Sequence, residues 1–192
     1  MHKALFIAVT IALIVSELGI ARGSAAPTPR ATTEGGSHQV NALQGCMNQW
    51  LFNGVWRIRV TQISRITDAT GLLPGVKVSF EVRNGSKTET SLLTTGVPSH
   101  PGSLVFDDST ELDGTNSDAT LVWNNVYFKK LPPSGGLIFS IPFVFQPAPS
   151  TVPKPVKWLL QIDPSKEWAG APHYSTSNPG LRVDLTCNKA AQ

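Results

Sequence analysis

Val76-Lys77-Val78-Ser79-Phe80-Glu81-Val82-Arg83 is the stretch on which the fold turns. Its apolar residues stand at 76, 78, 80 and 82, and its polar ones at 77, 79, 81 and 83. Side chains alternate between the two faces of a strand, so this spacing predicts a strand with one dry face and one wet face.

The pattern repeats on both sides. In Trp56-Arg57-Ile58-Arg59-Val60-Thr61 the inward residues are 56, 58 and 60. Leu137, Phe139, Ile141, Phe143 and Phe145 form a third inward row, and Val156, Trp158, Leu160 and Ile162 a fourth. Leu181, Val183, Leu185 and Cys187 form a fifth, opposed by Arg182, Asp184 and Thr186. Ser103–Asp107 and Leu121–Phe128 are weaker strand candidates. Residues 163–168 and 46–53 have the composition for a single helical turn, and no stretch carries a sustained helical period. Turn signals separate the runs: Leu73-Pro74-Gly75, Asn84-Gly85, Pro98 to Gly102, Asp113-Gly114, Pro132 to Gly136, Pro147 to Pro155 and Asn178-Pro179-Gly180. About seven strands without crossover helices predict an all-β, antiparallel, immunoglobulin-like β-sandwich, with a closed barrel as the alternative. Pro142 interrupts the third row and predicts an edge or a bulge there, because proline cannot donate to the ladder.

The ends of the chain read differently. Lys3 followed by the apolar run Ala4–Val15 and the small residues Gly23, Ser24, Ala25 and Ala26 predicts a secretory signal over 1–26. The run is too short for a bilayer span, which needs about 20 residues. Removing 1–26 takes away Lys3, Arg22 and Glu17 and lowers the net charge of +3 by one. Residues 27–44 are small, polar and unpatterned and read as a flexible leader, which leaves 45–189 as one domain.

Composition agrees. Only 15% of residues are charged, against about 25% in an average protein. At 41% hydrophobic the chain is too apolar for global disorder. A net charge of +3 argues against a nucleic-acid partner, although the pI is near 9.0.

Two cysteines, Cys46 and Cys187, allow one intramolecular pairing in an exported chain. A metal pair would want further ligands at close spacing, and His38, His100 and His173 are isolated. We therefore expect a Cys46–Cys187 disulfide between the first and last strand regions.

Three stretches carry a resemblance: Gly75 through Lys87, the Asp/Gly-rich run from Phe106-Asp107-Asp108 to Asp113-Gly114, and Leu131-Pro132-Pro133-Ser134-Gly135-Gly136 leading into Phe139-Ser140-Ile141-Pro142. Over about residues 55–163 the chain resembles secreted bacterial immunoglobulin-like domains of the DUF4352 type. The resemblance implies an immunoglobulin-like fold on an exported protein and no catalytic residues. The segment Cys46–Trp56 falls outside that pattern.

Candidate chemistry is sparse. No G-x-S-x-G is present, and a copper site fails because Met47 is the only methionine after residue 1. The stretch 107–118 offers oxygen ligands for calcium from Asp107, Asp108, Asp113, Asn116 and Asp118, with Gly114 for a sharp turn. Its spacing is not that of an EF-hand, and the same residue types also make ordinary turns. Trp56 and Trp158 lie on inward rows, whereas Trp50, Trp123 and Trp168 are not placed by the pattern. Exposed tryptophans on a sandwich would point to a sugar or peptide. Asn84-Gly85-Ser86 matches a glycosylation sequon and also reads as a turn.

These readings lead to a secreted, non-catalytic sandwich that binds a protein or glycan partner at the cell surface or outside. No catalytic residue is nominated, calcium is the only cofactor candidate, and no membrane span remains after signal cleavage. The alternative is a calcium-dependent or carbohydrate-binding module, and a hydrolase comes third.

Overall fold

A computed structural model describes residues 42–188. The expected signal at 1–26, the leader as far as residue 41, and residue 189 lie outside the described residues. In chain order the elements are β1 (Leu43–Met47), β2 (Leu51–Phe52), β3 (Trp56–Thr67), β4 (Pro74–Asn84), β5 (Ser103–Phe106), β6 (Glu111–Asp113), α1 (Ser117–Tyr127), β7 (Gly136–Val144), β8 (Pro155–Leu160) and β9 (Leu181–Asn188). A single 3₁₀ turn at Pro164–Lys166 falls within 163–168, where a helical turn was expected.

The strands form two sheets, ordered β1-β9-β8-β5-β6 and β2-β3-β4-β7. All pairs are antiparallel except β1 with β9, which run parallel. This is a β-sandwich, and the inward rows meet at its centre. Phe80 of one sheet lies against Trp158 of the other at 4.7 Å between ring centroids, and Phe139 stacks on Phe80 at 5.4 Å. Trp56, Val60, Val78, Leu104, Phe143, Leu160, Leu181 and Val183 complete the dry layer. The fold holds because this layer removes two apolar faces from water together.

Three expectations change. Residues 46–53 hold strands rather than a helical turn, because β1 pairs with β9 and β2 with β3. β1 begins at Leu43, so Leu43 and Gln44 of the expected leader pair with Leu181 and Arg182. Leu121–Tyr127 is helix, not strand, and Phe128 is its C-cap. Its buried residues Ala119, Trp123, Val126 and Tyr127 fall at i, i+4, i+7 and i+8, a helical stripe that the run of aromatic and β-branched residues disguised. α1 leads from β6, at the edge of one sheet, to β7, at the edge of the other, and packs on β7. Pro142 does sit on an edge strand, and its carbonyl accepts a bond from Asn116 Nδ2 at 3.2 Å.

The connection from β4 to β5 is long yet buried, with Leu92 and Val97 in the core. Three indole N–H groups hold it. Trp56 donates to Thr95 Oγ1 at 2.9 Å, Trp123 to the Pro98 carbonyl at 3.1 Å, and Trp158 to the Pro101 carbonyl at 2.9 Å. A buried indole must place its N–H on an acceptor, and these come from β3, α1 and β8. The Tyr174 hydroxyl adds a bond to the Thr95 carbonyl at 2.6 Å, and burial pushes its phenol above the usual range.

The Cys46–Cys187 disulfide joins β1 to β9, with 5.1 Å between Cα atoms and a sequence separation of 141. It is half-buried. A loop of that length gives about 5 kcal/mol by chain entropy, an upper figure. Cys46→Ser with Cys187→Ser should therefore lose roughly 3–5 kcal/mol in urea unfolding, without loss of β-sheet circular dichroism at low temperature.

Candidate functional site

The segment Cys46–Trp56 supplies the top layer of a cluster on the outer face of β2-β3-β4-β7. β2 pairs with β3 so that Leu51 faces Ile58 inward and Phe52 faces Arg57 outward. Continuing that register brings Trp50 over Arg59. The Arg59 guanidinium carbon lies 4.5 Å from the Trp50 ring centre, that of Arg83 5.3 Å, and that of Arg57 4.8 Å from Phe52. Arginine stacks on aromatic faces because its flat cation meets the negative ring face and is weakly hydrated.

Glu81 lies beneath. It belongs to the polar row of β4, yet it is only 6% exposed. Arg59 Nε and Nη2 donate to its Oε2 at 2.9 and 2.6 Å, and Arg83 Nε and Nη2 donate to its Oε1 at 2.8 and 2.6 Å. Burial raises the carboxyl pKa, but the bonds and charges of Arg83 and Arg59 outweigh it, so Glu81 sits below the ordinary glutamate value.

The charges do not balance. Arg57 and Arg83 are direct cross-strand partners, like charges side by side. The carboxylate that the cluster contains is already taken by Arg59 and Arg83. Phe52, 42% exposed, flanks the arginines on β2, and Ile138, 78% exposed, stands opposite Glu81 on β7. The result is a cationic strip between two exposed apolar side chains.

The residues expected to bind calcium are divided among several tasks. Asp107 Oδ1 accepts from the Lys154 N–H at 3.0 Å. Asp108 Oδ1 accepts from the Thr110 N–H at 2.9 Å, and Asp113 Oδ1 from the Thr115 hydroxyl at 2.9 Å. Asn116 caps α1 by accepting from the Ala119 N–H at 2.9 Å, and Asp118 lies in the first helical turn, where the helix dipole favours negative charge. No group of three or more His, Cys, Asp or Glu that could hold a metal ion occurs among the described residues.

Trp56, Trp123 and Trp158 are buried, and Trp50 is half-buried. Trp168 is 57% exposed and forms one wall of a shallow pocket of about 190 Å³ with Thr88, Thr90, Ser91, Thr94 and Lys130. His100 Nδ1 accepts from the Gly102 N–H at 3.3 Å, His173 Nδ1 lies 3.0 Å from Glu167 Oε2, and His38 falls outside the described residues. The Asn84 amide is buried, and its Nδ2 donates to the carbonyls of Thr88 and Leu131, both at 2.8 Å. In the folded chain the turn therefore uses the nitrogen that a glycan would need.

No family model matches the chain, and no curated protein is similar to it. Solved structures resemble it at low identity. The crystal structure of the yjhA protein from Bacillus subtilis has a TM-score of 0.45 at 9% identity, covering 73% of this chain and 98% of that one. An uncharacterized beta-sandwich protein from Clostridium difficile 630 has a TM-score of 0.41 at 6% identity, covering 75% of this chain and 94% of that one. Among the described residues no helix is long and apolar enough to cross a membrane.

Because the folded pKa of Glu81 is lowered, its stabilisation is complete above the unfolded value of about 4.3 and drains as pH falls through the folded pKa. Glu81→Gln should cost about 2 kcal/mol at neutral pH, below the range for a fully buried pair because Arg83 is half in water. Urea titrations should show the gap between wild type and variant begin to narrow as pH falls below the unfolded glutamate value of about 4.3 and close only below the folded one.

Proposed function

We propose that the chain is an exported, non-catalytic binding protein whose outer β2-β3-β4-β7 face takes an acidic polypeptide segment. Export rests on the sequence at 1–26 and on the disulfide, a bond that persists in oxidising compartments. The likeness to DUF4352-type domains points the same way. One observation carries the binding reading: Arg57 faces Arg83 across the strand pair while the carboxylate between them and Arg59 is consumed. A partner carboxylate beside Arg57 relieves the repulsion. Phe52 and Ile138 offer apolar contact on either side. Arginine and aromatic residues are the types that protein interfaces favour and that carry most of their binding energy.

Arg57 makes no bond to Glu81, so Arg57→Glu tests the face while keeping every partner of the buried carboxylate. A labelled peptide alternating Glu with apolar residues should bind wild type in a salt-dependent manner by fluorescence anisotropy. Binding should weaken by about tenfold in Arg57→Glu, corresponding to ~1.4 kcal/mol, at a melting temperature that does not fall, since the change also removes the like-charge pair with Arg83. Equal binding by both proteins would overturn the reading.

A second reading is favoured by Trp168. Its exposed ring stands beside the hydroxyl-bearing residues Thr88, Thr90, Ser91 and Thr94, an arrangement in which a sugar ring stacks and hydrogen-bonds. On this reading neutral oligosaccharides change the tryptophan fluorescence, and Trp168→Ala removes the change. A titration with no saturable change would count against it.

A further inference from the structure

At the end of the sandwich away from the tryptophan-held connection, the two sheets do not close on each other. A cavity of about 350 Å³ opens between them. Met47 of β1 and Leu185 of β9 line one side, and Ile63 and Val76 of the β3-β4 pair the other. Arg65 and Lys154 also line it, and no carboxylate does.

The position of Arg65 has a local cause. The β3-β4 register runs Val60↔Phe80 and then Gln62↔Ser79, so a bulge at Thr61 removes one residue from the pairing. Beyond the bulge Ile63 faces Val78, and Arg65 faces Val76. Residues directly opposed across antiparallel strands share a face, and Val76 and Val78 belong to the dry row. The bulge therefore moves Ile63 and Arg65 onto the inner row, where the unshifted register would have put Gln62 and Ser64. An arginine thus ends an apolar row at the mouth of a cavity. Among the described residues neither Arg65 nor Lys154 is ion-paired.

We infer that this cavity binds an anionic single-chain amphiphile, a medium-chain alkyl carboxylate, independently of the arginine face. The alkyl tail lies between Met47, Ile63, Val76 and Leu185. The carboxylate sits on the Arg65 guanidinium, whose planar fork fits two carboxylate oxygens, with Lys154 as the second cation. Size agrees: about 350 Å³, at roughly 30 Å³ for a water-sized group, holds on the order of ten such groups.

Isothermal titration calorimetry of the protein with hexanoate, octanoate, decanoate, decanol and decylammonium, all below their micelle concentrations, tests this. Saturable one-site binding is expected for the carboxylates, with affinity rising about fourfold per added methylene. Decanoate should bind about tenfold tighter than decanol, and decylammonium weakest. Arg65→Ser should reduce the preference for decanoate over decanol, Arg65→Ser with Lys154→Ser should erase it, and both should leave the decanol affinity in place. Arg57→Glu should leave all of these affinities unchanged, which keeps this result separate from that of the arginine face. Absence of saturable decanoate binding at millimolar concentration, equal binding of decanoate and decylammonium, or a headgroup preference that survives Arg65→Ser with Lys154→Ser would overturn the inference.

Discussion

Residues opposed across an antiparallel strand pair share a face, and the ladder between β3 and β4 uses that constraint three times. On the inner side it sets Ile58 beside Val82 and Val60 beside Phe80, the row that meets Trp158 of the other sheet. On the outer side it sets Arg59 beside Glu81 and Arg57 beside Arg83. After the bulge at Thr61 it exchanges the two sides and turns Arg65 inward at the exposed end of the row. Core, arginine cluster and cavity mouth thus share one register.

Burying Glu81 without partners would cost several kcal/mol, because a carboxylate loses its water. Arg59 and Arg83 replace that water with four hydrogen bonds. Trp50 then lies over both guanidinium groups, at 4.5 Å from that of Arg59 and 5.3 Å from that of Arg83. The segment Cys46–Trp56 therefore has a physical task at each end. Cys46 fastens β1 to β9, and Trp50 and Phe52 cover the arginines of β3 and β4.

Strands with strict alternation were legible in the sequence because one face of each is buried. Val76–Arg83, Trp56–Thr61 and Leu181–Cys187 all fall within observed strands. The pairing of the cysteines was legible because only two exist. α1 was not, since Trp123, Val126 and Tyr127 are as common in strands as in helices. Its start signals were present, with Asn116 as cap and Asp118 in the first turn, but the same residues had been read as calcium ligands. The arginine cluster was also hidden. Alternation assigns Glu81 to the wet face, and nothing local tells that Trp50 will cover it. The bulge at Thr61 leaves no mark in the pattern either, so nothing in the alternation marks Arg65.

β1 and β9 run in the same direction side by side, with Leu43 against Leu181 at one end and Met47 against Asn188 at the other. Leu43 and Asn188 therefore lie at opposite ends of this strand pair. Tension applied through them loads the ladder lengthwise, so its bonds share the force in shear instead of opening one at a time like a zipper. Behind that ladder the Cys46–Cys187 bond spans 141 residues of sequence. Even if the sheet yields, that covalent link carries the load, and the polypeptide enclosed between the cysteines cannot be drawn out.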